Sequence, residues 1–344
     1  MAFKLNRVLV GLSALPLIAL AACGGTSTES TSSSGGSDSG SSSGAGGQAI
    51  ADGSSTVAPI TIAAAEQFQS GNPDVNVSVG TSGSGGGFKK FCAGETDISN
   101  ASRPIKQGEI DACAEAGIEF VELPVAFDGL AVVTNTGNDW AECLTVEEMN
   151  QMWNQDAEGE VTRWSDVRSD FPDEDLSLYA PGTDSGTFDY FNEAILDEDD
   201  IRADFTPSED DNVIVTGVSG NTGGMGFFGL AYFEENAEIL NLVEIDNGDG
   251  CVAPSTETVA NGTYVPLARP LFIYVKADSA GNPAVKDFID FYLENAADLA
   301  ASVGYIGLPD DAYEKIQALW EARTPGSRFQ DVEPGTPIGD LFED

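Results

Sequence analysis

The sequence predicts an α/β fold, and three observations predict it. After residue 48, short runs rich in β-branched and aromatic residues alternate with segments of helical periodicity. The chain is 41 % hydrophobic, enough to fill one large or two medium cores. No long internal repeat and no second low-complexity tract interrupts the alternation after residue 48.

The beginning of the chain is of another kind. Lys4 and Arg7 form a short positive region, and residues 8–22 are almost entirely apolar and end in small residues. That is an export signal, too short for a comfortable membrane span. Leu20-Ala21-Ala22-Cys23 matches the bacterial lipoprotein signal, in which the cysteine becomes the lipidated first residue. Residues 1–22 are therefore expected to be a leader and Cys23 an anchor into membrane lipid. Residues 24–47 are Gly, Ser and Thr with a little Glu, Asp and Ala, which cannot offset their own ordering entropy. The stretch 23–48 is expected to be a flexible tether with a typical span of about 25–30 Å.

The elements follow in order. The first expected helix, 57–68, has Val57, Ile60, Ala64 and Phe68 on one side and Ser54-Ser55-Thr56 before it. Strand 75–80 leads through Ser82-Gly83-Ser84-Gly85-Gly86-Gly87 into a short helix, 88–92. Strands are expected at 119–124 and 130–135, then at 176–180, which feeds Asp184-Ser185-Gly186-Thr187 and a helix over 188–196. A strand at 267–276 and helices at 286–300 and 311–322 complete the pattern.

Three of these helix starts share one chemistry. Each is a loop carrying Ser or Thr that feeds a helix N-terminus, where free backbone N–H groups and the helix dipole favour an anion. Glycine admits close approach of the backbone, and the hydroxyls donate to the same oxygens. Any one alone is explained as a helix cap; three together point to a tetrahedral anion. Asp97-Ile98-Ser99-Asn100-Ala101-Ser102-Arg103-Pro104 adds one of few arginines, a group that binds phosphate bidentately, though a surface ion pair explains it as well.

Charge and cysteines narrow the rest. A net charge of −42 with 15 Lys and Arg excludes nucleic acid as a partner, since little remains to neutralise phosphodiesters. Beyond Cys23 an even number of cysteines remains, which suits an oxidising compartment. Of the three possible pairings, Cys92–Cys113, which closes a short loop, and Cys143–Cys251 are expected. The cysteine spacings are not those of a zinc site and the chain has no histidine, so no metal and no other cofactor is expected.

With these motifs in view, residues 49–319 resemble the extracytoplasmic phosphate-binding protein of the Pst phosphate ABC transporter, the PstS family. The resemblance rests on Asp52-Gly53-Ser54-Ser55-Thr56-Val57, on Ser84-Gly85-Gly86-Gly87-Phe88-Lys89 with Asp97…Ser102-Arg103-Pro104, and on Pro181-Gly182-Thr183-Asp184-Ser185-Gly186-Thr187. Leu144-Thr145…Met152-Trp153…Trp164-Ser165-Asp166 and Gly224-Met225-Gly226-Phe227-Phe228 support it.

The resemblance implies a two-lobed clamshell of the periplasmic-binding-protein type, hinged, with discontinuous lobes. Residues 122–130 and 265–272 are the expected crossings. Residues 49–126 with 270–344 would form one lobe, and 127–269 the other. It also implies capture of inorganic phosphate at the periplasm or cell surface and delivery to the permease subunits of an ABC transporter; a monomer is expected. By similarity, Thr56, Ser84, Ser185, Gly186 and Thr187 hold phosphate, and Ser55 and Ser102 are expected to join them. Pro181 stands where many members carry the phosphate-binding arginine, and Ser102 where some carry an aspartate. Arg103 is therefore expected to be the pocket's only full positive charge, and Asp184 the acceptor of the phosphate proton. Another tetrahedral anion, sulfate or molybdate, is the alternative ligand. A secreted phosphatase or serine hydrolase is disfavoured because the usual histidine base is absent, so no enzyme is expected.

Overall fold

The computed structural model describes residues 47–183, 185–197, 200–330 and 338. Cys23, the leader and almost all of the tether lie outside the described residues.

A nine-stranded mixed sheet organises the described residues. In spatial order it runs Val75–Val79, Gly47–Gly53, Ile98–Ala101, Ala268–Lys276, Phe120–Asn135, Gly224–Gly229, Ser177–Ala180 and Thr206–Pro207. The strand Leu240–Leu242 adds to Phe120–Asn135 off this path. A separate three-stranded sheet joins Cys251–Val252, Glu244–Asp246 and Cys143–Thr145.

The long strand Phe120–Asn135 belongs to both halves of the large sheet. Residues 120–129 pair antiparallel with Ala268–Lys276, and residues 130–134 pair with Gly224–Gly229. All but its last residue are buried, which explains its nearly continuous apolar sequence, because both faces are covered. The sequence divides this stretch into two strands, 119–124 and 130–135; the structure makes it one. Leu271 pairs with Ala126 but Phe272 with Pro124, so a bulge beside Pro124 absorbs the missing donor without ending the strand. The two segments expected to cross lie side by side in this antiparallel pair.

Helices cover the sheet where the apolar periodicity places them, with shifted ends. Ala58–Gly71 begins on a proline in its first turn and buries Ile60, Ala64 and Phe68. The second helix is Gly83–Cys92, so the glycine run is helical and not a loop before the helix. Its reason is steric: a Cβ on Gly87 would lie 2.5 Å from the Cα of Gly53. Only glycine lets this helix lie so close to the end of strand Gly47–Gly53. The expected helix 286–300 is two helices, Pro283–Glu294 and Ala296–Ser302, parted at Asn295.

Both expected disulfides are formed. Cys92–Cys113 ties helix Gly83–Cys92 to helix Gln107–Glu115, and Cys143–Cys251 ties the two outer strands of the small sheet. Near the C-terminal end, buried Glu122 accepts from the hydroxyls of Tyr274 and Ser327 and from the N–H groups of Arg328 and Phe329. This fastens residues 327–329 to the long strand.

Candidate functional site

The three hydroxyl-bearing helix starts are built in different ways. At the first, Gly53 has φ +142°, and a Cβ there would lie 2.1 Å from the Asn100 carbonyl oxygen, so glycine is required. The Ser54 hydroxyl accepts from the Thr56 N–H at 3.2 Å, leaving Thr56 buried at the mouth of helix Ala58–Gly71. Ser55 is half-buried in the turn between them. Beside this turn, Asp52 binds Lys90 at 2.6 Å and accepts from the Ser82 hydroxyl. Burial pushes the Asp52 carboxyl up, but Lys90 and Ser82 outweigh it and hold it below the ordinary value.

At the second start, Ser84 lies in the first turn of Gly83–Cys92. Its hydroxyl accepts from the Ser102 N–H at 3.1 Å and lies 3.2 Å from the Ser102 hydroxyl. At the third, Ser185 caps helix Gly186–Leu196 by accepting from the Thr187 N–H at 3.2 Å. Asp184, expected as the proton acceptor, lies outside the described residues.

The first and third starts meet. A Cβ on Gly186 would lie 2.3 Å from the Thr56 hydroxyl oxygen, so the two backbones are as close as glycine allows. Ser84 and Ser102 instead line a cavity of about 310 Å³ together with Gly85, Arg103 and Lys106. Its opposite wall is Asp189, Asn192 and Glu193, from the helix that Ser185 caps. Burial raises the Asp189 carboxyl above its ordinary value, partly offset by Arg269.

Arg103 is not the only positive charge here. Lys106 lines the same cavity, and a third cation, Arg269, lies where the first and third starts touch. Arg103 itself is engaged: its terminal nitrogens reach Glu109 at 2.9 and 2.8 Å, and Nη1 also reaches the Pro104 carbonyl at 3.0 Å.

Arg269 is the functional candidate absent from the sequence reading. Its Nη2 lies 3.3 Å from the Thr56 hydroxyl, 3.4 Å from Asp128 and 3.5 Å from the Gly186 carbonyl, while Nη1 lies 3.3 Å from Glu193. The guanidinium stacks on Tyr190, 3.7 Å from the ring centre. Asp128 faces it at matched register, Arg269 on Ala268–Lys276 against Asp128 on Phe120–Asn135. Asp128 is 1 % exposed, and burial raises its carboxyl despite Arg269 nearby. A signal was present in the chain: each residue is a charge set inside a largely apolar strand, where a charge needs a partner.

The described residues hold one cluster with metal-ligand spacing, Cys143, Glu244 and Cys251. Its two sulfurs are bonded to each other, so it offers no thiolates.

A family model described as a PBP superfamily domain matches residues 38–296. The protein named SphX of Synechococcus elongatus is 51 % identical over 280 residues, covering 81 % of this chain and 83 % of that one. The phosphate-binding protein PstS of Staphylococcus haemolyticus is 38 % identical over 309 residues, covering 89 % and 94 %. The crystal structure of a possible phosphate-binding protein from Planctomyces limnophilus superposes with a TM-score of 0.76 at 44 % identity, covering 80 % of this chain and 98 % of that one.

Proposed function

Because this chain belongs to the PBP superfamily, and within it to the phosphate-binding proteins of the PstS type, we propose that it captures inorganic phosphate outside the cytoplasm for an ABC-type phosphate permease. It binds and releases its ligand without chemical turnover. The observation that carries this reading is the contact of Thr56 with Gly186, which sets two helix starts against each other at one point.

The physics of capture is local. At the N-terminus of a helix the unpaired N–H groups and the macrodipole favour an anion, and two such ends share its charge. Ser55, Thr56, Ser185, Gly186 and Thr187 form the cradle, with Ser84 and Ser102 on the wall of the adjoining cavity. The surrounding net charge of −42 opposes this only weakly, because surface carboxylates are screened over roughly 8 Å at physiological ionic strength. Dipoles inside a dry crevice act at low effective dielectric and dominate. Selectivity comes from protons: phosphate near neutral pH carries an O–H that a carboxylate accepts, whereas the same carboxylate repels sulfate.

The lobes proposed are residues 49–126 with 270–344, and 127–269. Closure of one upon the other creates the shape that the permease subunits read. We place the mature protein on the membrane surface as a monomer, held by lipid on Cys23 and freed to move by the tether 23–48. Mass spectrometry of the mature N-terminus tests the anchor: acyl chains on Cys23 are expected, and an unmodified N-terminus elsewhere removes it.

Titration calorimetry with phosphate, sulfate and molybdate tests the ligand. One phosphate per chain, bound well ahead of sulfate, is expected. Equal affinity for sulfate, preference for molybdate, or no phosphate binding overturns it.

A further inference from the structure

Two arginines compete for the part of the ligand's counter-ion, and their environments differ. Arg103 already spends its fork on Glu109, in two charge-assisted bonds of ordinary length. Glu109 also accepts from the Lys106 N–H at 2.9 Å, so releasing Arg103 to an anion would disturb the start of helix Gln107–Glu115 as well. Arg269 is the opposite case. Among the described residues all four of its polar contacts lie between 3.3 and 3.5 Å, and its buried Nε has no hydrogen-bond partner. Donors buried with such weak partners are costly unless something else completes them.

The bland explanation is a buried ion pair that pins two strands together. A pair kept for that purpose closes to full contact, as Arg168 and Glu148 do at 2.6 and 2.7 Å in this same molecule. Arg269 and Asp128 stand 3.4 Å apart despite lying opposite each other in the ladder. Tyr190 holds the plane of the guanidinium from one face, so its polar contacts are made along the edges. Nη2 lies against Thr56 and Gly186, the two residues at which the helix starts meet, as well as against Asp128, while Nη1 lies against Glu193.

We infer that Arg269, not Arg103, is the cation that meets the bound oxyanion, and that Asp128 is the carboxylate that accepts its proton. This rests on the phosphate reading above and names the two charged groups that reading needs. A tetrahedral anion takes the two-pronged donor set of Arg269 in place of its long contacts. Among the described residues Asp128 accepts from no donor other than Arg269, so an oxygen remains for a P–OH group. Sulfate brings no proton and meets that carboxylate as repulsion. Arg103 is left as a clamp between residues 103–104 and helix Gln107–Glu115.

Titration of the full-length protein with phosphate and with sulfate separates the possibilities. Arg269→Gln is expected to weaken both anions by at least about thirtyfold, the scale of a lost buried charged contact. Arg103→Gln is expected to change phosphate affinity less than about threefold. Asp128→Asn is expected to weaken phosphate while leaving sulfate unchanged or tighter. Phosphate binding of Arg269→Gln at the unaltered level, or a large loss confined to Arg103→Gln, overturns the assignment of Arg269. Parallel loss of both anions in Asp128→Asn overturns the proton-acceptor role. If Arg269→Gln fails to fold, the unaltered protein labelled with ¹⁵N-arginine decides the matter, with Arg269→Lys used to assign the signal. The Arg269 Nε–H resonance should move on phosphate addition, and a stationary one refutes the contact. An unaltered protein that binds no phosphate removes the functional reading itself, and this inference with it.

Discussion

Arg103 gives both terminal nitrogens to the one carboxylate of Glu109, at 2.8 and 2.9 Å, while that carboxylate also closes the first turn of helix Gln107–Glu115 through the Lys106 N–H. The contact is therefore a fastening of chain to chain. Glu109→Gln should lower stability by about 1–2 kcal/mol, the sum of a lost cap and a partly screened ion pair. Urea denaturation measures it, and an unchanged midpoint would show that the pair holds nothing.

Gly186 sets how closely the two helix starts approach. In Gly186→Ala the new methyl meets the Thr56 hydroxyl at 2.3 Å and the Thr56 backbone at 3.0 Å, so the parts must separate. Phosphate affinity should fall more than about tenfold, a loss exceeding about 1.4 kcal/mol. Small-angle scattering should find the variant with phosphate no more compact than without it. Compaction equal to that of the unaltered protein would show that the approach is not needed for closure.

The two disulfides close loops of very different size, with separations of 21 and 108 residues. On the chain-entropy account, losing Cys92–Cys113 costs about 3 kcal/mol and losing Cys143–Cys251 about 5 kcal/mol. Urea midpoints of the paired Cys→Ser variants should rank in that order. The reverse order would mean that strain or residual structure, and not loop closure, decides their worth.

Asp211, at the start of helix Asp211–Ser219, is pushed up to about 6 by burial and by the neighbouring charges of Asp210 and Glu209. The folded chain thus holds a proton there more tightly than the unfolded chain does. That contribution is complete below about pH 4 and is lost as pH rises through 6. Asp211→Asn should be more stable than the unaltered protein at pH 7, by about 1 kcal/mol after discounting for partial exposure, and equal to it near pH 4. Thermal melts at the two pH values check this; a gain that persists at pH 4 would assign it to something other than charge.

What could be read from the sequence was local. A Ser or Thr before a helix announces itself within four residues, and so the starts at Thr56, Ser84 and Ser185 are legible in the sequence alone. The strand Phe120–Asn135 is not, because Pro124 and Asp128-Gly129 are both signals for ending or turning a strand. Those same signals concealed Asp128. Its meeting with Arg269 depends on antiparallel register between residues 141 apart, and nothing local encodes a register. The fate of Arg103 was hidden for a related reason: a chain with 57 Asp and Glu offers many partners, and only folding selects Glu109.

The unbroken strand Phe120–Asn135 limits the kinds of movement open to this molecule. A hydrogen-bonded ribbon yields to torsion along its length far more readily than to shearing of its ladder. For the lobe closure proposed above, torsion would concentrate near Gly129, where the partner strand changes from Ala268–Lys276 to Gly224–Gly229. Asp128 and Arg269 sit beside that stretch, so the anion proposed to meet them would bear directly on that torsion. Amides of residues 120–134 should stay among the slowest to exchange with solvent both with and without phosphate, and rapid exchange in either condition would show that the ladder opens.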